Sequence, residues 1–122
     1  MLKIHKITAA TNPGHVVNPA QIERQVSGSF VYGLSAALYG EITVKDGAVE
    51  QTNFDTYPPL RMSQTPEVAV NVIANGEKAT GVGEPAVTVI APALANAIFN
   101  ACGARVRSLP ITAEAVKANM KA

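Results

Sequence analysis

Between Asn18 and Gly40 an apolar residue recurs at every fourth position, as Ile22, Val26, Phe30, Leu34 and Leu38, and no other feature restricts the fold as much. That spacing keeps side chains on one side of an α-helix over successive turns. Asn18 suits the cap, Pro19 the first helical position, and Gly40 the end. Gly28, Ser29, Gly33, Ser35, Ala36 and Ala37 give this helix a thin profile, so another backbone can lie close to it. A chain of 122 residues has room for one domain built around such a helix.

The remaining pattern supplies its partners. Lys3 to Thr11 reads as a strand, broken by the turn chemistry of Asn12-Pro13-Gly14. Ile42 and Val44 lead into a hairpin with Asp46-Gly47 at its turn and Val49 on the return. Asn53 to Pro59 is a loop, and Val68, Val70 and Val72 alternate as a strand does. A second helix is predicted from Pro85 to Cys102, with Val87, Ile90, Leu94, Ala97, Ile98 and Ala101 on its apolar face and Gly103 as a left-handed cap. Val106 and Leu109 suggest a short strand, and Thr112 caps a last helix through Met120. These elements predict an α+β unit, two main helices packed on a small mixed or antiparallel sheet.

Charge narrows the function. Ten basic and nine acidic residues are spread evenly, with no basic stripe and no interleaved aromatics, so nucleic acid is excluded as a partner. Cys102 has no second cysteine to pair with and reads as an inert packed thiol. His5 and His15 are too isolated to make a metal site with it, so no metal ligand is assigned. The N-terminus lacks the apolar stretch of a signal peptide, and the reading predicts no membrane segment. The compartment stays open between cytoplasm and periplasm.

The segment that carries chemistry is Gly81-Val82-Gly83-Glu84-Pro85, running straight into the second helix. Gly81 and Gly83 would allow positive φ angles and close approach of another group. Glu84 falls at a helix start, where free amides and the dipole favour its ionised form. A charged carboxylate on such a loop can act as general base, or can simply stabilise the first turn. A phosphate cradle is disfavoured, because Glu84 would repel the phosphate and the P-loop lysine is missing. Asn18, Gln25, Asp55, Tyr57, Arg61, Tyr32 and Tyr39 are weaker candidates, explained by capping, solvation or packing. No Gly-x-Ser-x-Gly elbow is present.

Gly81-Val82-Gly83-Glu84-Pro85-Ala86-Val87, then Ala91-Pro92-Ala93-Leu94-Ala95-Asn96-Ala97-Ile98-Phe99, resembles the C-terminal signature of the xanthine dehydrogenase and aldehyde oxidase family, the molybdenum hydroxylases. Arg107-Ser108-Leu109-Pro110-Ile111 fits the same family. Val17-Asn18-Pro19, Gln25, Gly33-Leu34-Ser35-Ala36-Ala37-Leu38-Tyr39-Gly40-Glu41, and Asn53-Phe54 with Tyr57-Pro58 are similar to the large subunit of isoquinoline 1-oxidoreductase-like enzymes. The resemblance spans about His5 to Ile111 and implies a single partial domain over residues 1–122, the C-terminal part of a larger molybdopterin-binding subunit. It implies that Glu84 is the catalytic base and that Gly81, Val82 and Gly83 lie against a molybdenum–pterin cofactor. It also implies an N-heterocycle or aldehyde substrate, oxidised with water-derived oxygen. The expected partners are the rest of the large subunit and a separate iron–sulfur subunit holding the iron–sulfur clusters. The alternative is a non-catalytic scaffold module that keeps the fold. The chain departs from the family's usual Asp-Cys-Gly at Asn12-Pro13-Gly14, and from its paired glycines at Gly28-Ser29.

Overall fold

The computed structural model describes residues 2–120. Strand β1 (Lys6–Gly14) pairs in parallel with β4 (Glu67–Ala74), in register from Lys6 opposite Glu67 to Thr11 opposite Val72. A parallel pair needs a long crossover, which helix α1 (Pro19–Tyr39) and the loops after it provide. A short antiparallel ribbon, β2 (Val44–Lys45) with β3 (Ala48–Val49), projects from that crossover. Its turn places Asp46 at φ 50° and Gly47 at φ 80°, both left-handed, as a tight hairpin turn requires. The α+β class holds, with the parallel and antiparallel pairings carried by separate two-stranded sheets.

Helix α1 starts where Asn18 Oδ1 accepts the Gln21 N–H at 3.1 Å, and its last turn closes with Gly40 N–H donating to Ala36 O. Ile22, Val26, Phe30 and Leu34 are buried as the spacing predicts, but the next buried residue is Ala37, and Leu38 is only half-buried. The reason is angular: each step of four residues overshoots a full turn by about 40°, so the stripe drifts off the core. A step of three brings it back, at Ala37.

The expected helix from Pro85 to Cys102 is two helices, α2 (Pro85–Thr88) and α3 (Ile90–Cys102). Pro92 explains the interruption: it has no N–H to give to the Thr88 carbonyl, and its ring crowds that oxygen. Of the predicted apolar face, Ile90, Leu94 and Ile98 are buried and Val87 is half-buried, whereas Ala97 and Ala101 are exposed. Gly103 ends α3 in the left-handed conformation at φ 73°, its N–H bonded to Phe99 O at 2.8 Å. One expectation about this segment needs correcting. By length and composition Pro85–Cys102 does reach a membrane span, with 18 residues at mean hydropathy 1.5. In this structure the segment breaks at Val89, and 17% of it is buried, through Ile90, Leu94 and Ile98.

Two further expectations fail locally. Val106 and Leu109 form no strand: Val106 and Ala104 are buried, Leu109 is exposed, and Ile111 N–H donates to Ala37 O at 2.7 Å, so the segment is pinned to the end of α1. Asn12-Pro13-Gly14 is not a turn outside the strand but the irregular end of β1, where the register shifts between Thr11 and Gly14. Helix α4 (Ala113–Asn119) starts as expected, with Thr112 Oγ1 accepting the Ala115 N–H at 3.1 Å.

Candidate functional site

The loop from Thr80 to Glu84 is held from two sides. Upstream, Thr80 N–H donates to Pro13 O at 2.9 Å, which ties the loop to the end of β1. Gly14 makes that approach possible: it sits at φ +80°, and a Cβ there would lie 2.9 Å from the Glu77 carbonyl oxygen and press still harder on that of Lys78. Downstream, the buried Ser29 hydroxyl of α1 donates to the Gly83 carbonyl. The loop then enters α2, whose first turn closes with Val87 N–H donating to Glu84 O at 2.9 Å.

Glu84 is therefore placed at the start of α2, and its side chain is exposed. It makes no capping hydrogen bond to the helix amides, so a purely structural role for the acid rests on its charge at the helix start alone. The expected positive φ angles at Gly81 and Gly83 are absent; the left-handed glycines are Gly14, Gly47, Gly76 and Gly103. What Gly83 contributes is space, since a Cβ there would meet nothing within 4 Å. Gly81 and Val82 line an apolar cleft of ≈ 240 Å³ together with Ala9, Thr11, Val26 and Phe30. A second hollow of ≈ 560 Å³ contains none of these loop residues and lies at the other end of α1, around Leu38, Leu60 and Ile111. The larger hollow is thus not where the carboxylate is.

The weaker candidates stay apart from this loop. Asn18 is used as a cap, and Asp55 Oδ1 accepts the Thr56 N–H on an exposed turn. Tyr32 is exposed, and the Tyr39 hydroxyl accepts from Gln64 Nε2 at 2.8 Å. Half-buried Cys102 donates its thiol to Ile98 O at 3.2 Å. Among the described residues, no group of His, Cys, Asp or Glu is arranged to hold a metal ion directly. Sequence reasoning missed Ser29 as part of the site, treating it only as a small residue; a serine on the buried stripe of α1 was the available signal.

Comparison with known proteins matches this architecture. The family model of the molybdopterin cofactor-binding domain matches residues 1–66, which carry β1, α1 and the ribbon. A membrane-bound aldehyde dehydrogenase (pyrroloquinoline-quinone) of Gluconacetobacter polyoxogenes is 40% identical over 106 residues, covering 87% of this chain and 14% of that protein. The isoquinoline 1-oxidoreductase subunit beta of Brevundimonas diminuta is 34% identical over 110 residues, covering 90% of this chain and again 14% of the relative. Among solved structures, the aldehyde oxidoreductase of Desulfovibrio desulfuricans superimposes with TM-score 0.83 at 26% identity, over 98% of this chain and 14% of that one. The chain thus spans about one seventh of the length of these relatives. With a family model over more than half its residues and relatives covering nearly all of it, the chain belongs to the molybdopterin cofactor-binding domain family of the molybdenum hydroxylases.

Proposed function

We propose that this chain supplies Glu84 as the general base of a molybdenum–pterin hydroxylase that oxidises an N-heterocycle or an aldehyde. The observation that carries the reading is the exposed, uncapped Glu84 carboxylate on a loop anchored at Pro13 and Ser29, with open space beside Gly83. The residues fit the family's cofactor. A loop without side chains at positions 81 and 83 leaves room for a flat group to lie against it, so Gly81, Val82 and Gly83 would hold the pterin side of the site. When bound, the molybdenum–pterin group supplies the redox centre that takes up the substrate's electrons.

The chain's own part is proton transfer. Oxidation of a substrate C–H to C–OH with water releases two protons and two electrons, and a proton must leave the oxygen as it adds to the electron-poor carbon. Glu84 takes that proton at a carboxylate oxygen. The rest of the large molybdenum-binding subunit would close the site over Glu84, and a separate iron–sulfur subunit would carry the electrons away. The substrate class is supported by the names of the relatives: an isoquinoline oxidoreductase, a nicotinate dehydrogenase and aldehyde oxidoreductases.

The test is Glu84→Gln in the molybdenum-loaded assembly that contains this chain. Loss of a general base lowers turnover by about 100- to 10,000-fold, with subunit assembly and molybdenum content unchanged. Near-normal turnover would leave the chain as a scaffold module without chemistry.

A further inference from the structure

We infer that Ser29 is a positioning residue for Glu84: by donating its hydroxyl to the Gly83 carbonyl it fixes the peptide from which the carboxylate projects. This rests on the reading of Glu84 as base. Ser29 is 6% exposed and lies on the buried face of α1 between Val26 and Phe30. Its hydroxyl faces two carbonyls, Gln25 O at 2.8 Å and Gly83 O across 54 positions of sequence. The Gln25 carbonyl lies one helical turn back and is the regular acceptor of the Ser29 backbone N–H. It has no need of the hydroxyl.

The Gly83 carbonyl and the Glu84 N–H belong to one planar peptide unit. Holding that oxygen sets the plane on which the Glu84 Cα begins. No side chain could do this at position 83, because glycine has none and a Cβ there would touch nothing within 4 Å. The restraint must come through the backbone. The nearest hydrogen bond upstream, Thr80 N–H on Pro13 O, is three residues away, and the packing of Val82 between them does not set the plane of the Gly83 peptide. The same helix uses this device elsewhere: Ser35 Oγ accepts the Leu60 N–H at 2.9 Å and holds the chain before the Met62–Gln64 turn. Serines on α1 fasten two irregular segments, and one of them carries the base.

The experiment compares Ser29→Ala, Ser35→Ala and Glu84→Gln in the molybdenum-loaded assembly. Turnover is read beside amide hydrogen exchange, without substrate, of Thr80 and Val87, the hydrogen-bonded amides on either side of residues 82–84. Ser29→Ala should raise exchange at these amides about tenfold, a local opening that global unfolding does not explain. It should lower kcat about tenfold or more with KM and molybdenum content unchanged, as misplacement of a reacting group by about 1 Å does. Ser35→Ala should change neither. Unaltered exchange, or normal kcat beside a crippled Glu84→Gln, overturns the role of Ser29 alone. Near-normal turnover of Glu84→Gln overturns the base itself and this role with it.

Discussion

Gly33 of α1 lies against Ile90 at the start of α3, so close that a Cβ on Gly33 would stand 3.0 Å from Ile90 Cβ and 3.1 Å from the Val87 carbonyl oxygen. Here the thin profile of α1 is used: the helix that Glu84 opens meets α1 through a missing side chain. In Gly33→Ala, overpacking costs about 1–3 kcal/mol, against a helix-propensity gain of about 1 kcal/mol. A net loss of about 1 kcal/mol is expected in the local opening free energy of α1 and α2, read by native-state hydrogen exchange in the assembled enzyme. Gly28 lies on the same helix but is exposed, with nothing within 4 Å of a built Cβ. Gly28→Ala should shift the same measurement the other way, by up to about 1 kcal/mol. Equal signs for the two would refute the close packing.

The cap of α1 is a separate quantity. Asn18 Oδ1 satisfies the Gln21 amide, one of the donors a helix leaves unpaired at its start. Asn18→Ala should cost about 1 kcal/mol of local stability, and Asn18→Ser little, as read by exchange at Gln21 and Ile22. The effect should not reach residues 82–84, because Ser29 is three turns further along the helix.

Most of this was legible in the residues, for a reason that differs from element to element. Asn18-Pro19, Asp46-Gly47, Gly103 and Thr112 are local chemistry, and each ends up in the cap or turn its type demands. Glu84 was legible as an acid opening a helix. What depended on distant partners was not. The parallel pairing of β1 with β4 leaves no mark in either strand, since alternation reports the faces of a strand and not its neighbour. Gly14 reads as a turn glycine because nothing near it in sequence shows that residues 77 and 78 cross over it. The hydroxyl of Ser29 was hidden in the same way, its acceptor being far along the chain. Pro92 is the exception: its effect on Thr88 is local, and the unbroken apolar pattern around it masked a break that a proline inside a helix should announce.

That break has a testable consequence. Pro92→Ala restores the missing donor to the Thr88 carbonyl and removes the ring, favouring one continuous helix from Pro85 by up to about 3 kcal/mol. Exchange protection of residues 88–93 should rise. Turnover should nevertheless fall about tenfold, because straightening the junction swings α2, and Glu84 at its start, relative to a fixed α3; displacements near 1 Å have kinetic costs of this order or more. A variant with higher protection and unchanged kcat would show that the break has no part in aiming the carboxylate.

The most severe substitution predicted is at Gly14, because two independent penalties meet there. Its φ of +80° strains any residue with a side chain, at a cost of about 1–3 kcal/mol. The carbonyls of Glu77 and Lys78 also occupy the position a Cβ would take, and backbone, unlike a side-chain end, has little freedom to retreat. Gly76 provides the comparison: at φ +75° it shares the strain, but a Cβ there meets nothing within 4 Å. Gly76→Ala should therefore cost only about 1 kcal/mol. Gly14→Ala should cost more than about 3 kcal/mol locally, breaking the Thr80 N–H to Pro13 O bond, with exchange of the Thr80 amide rising at least about a hundredfold. Turnover should drop with it, since the loop that presents Glu84 loses its upstream anchor. Equal effects from the two substitutions would mean that the 77–80 segment does not press on the end of β1, and that the loop is held by Ser29 alone.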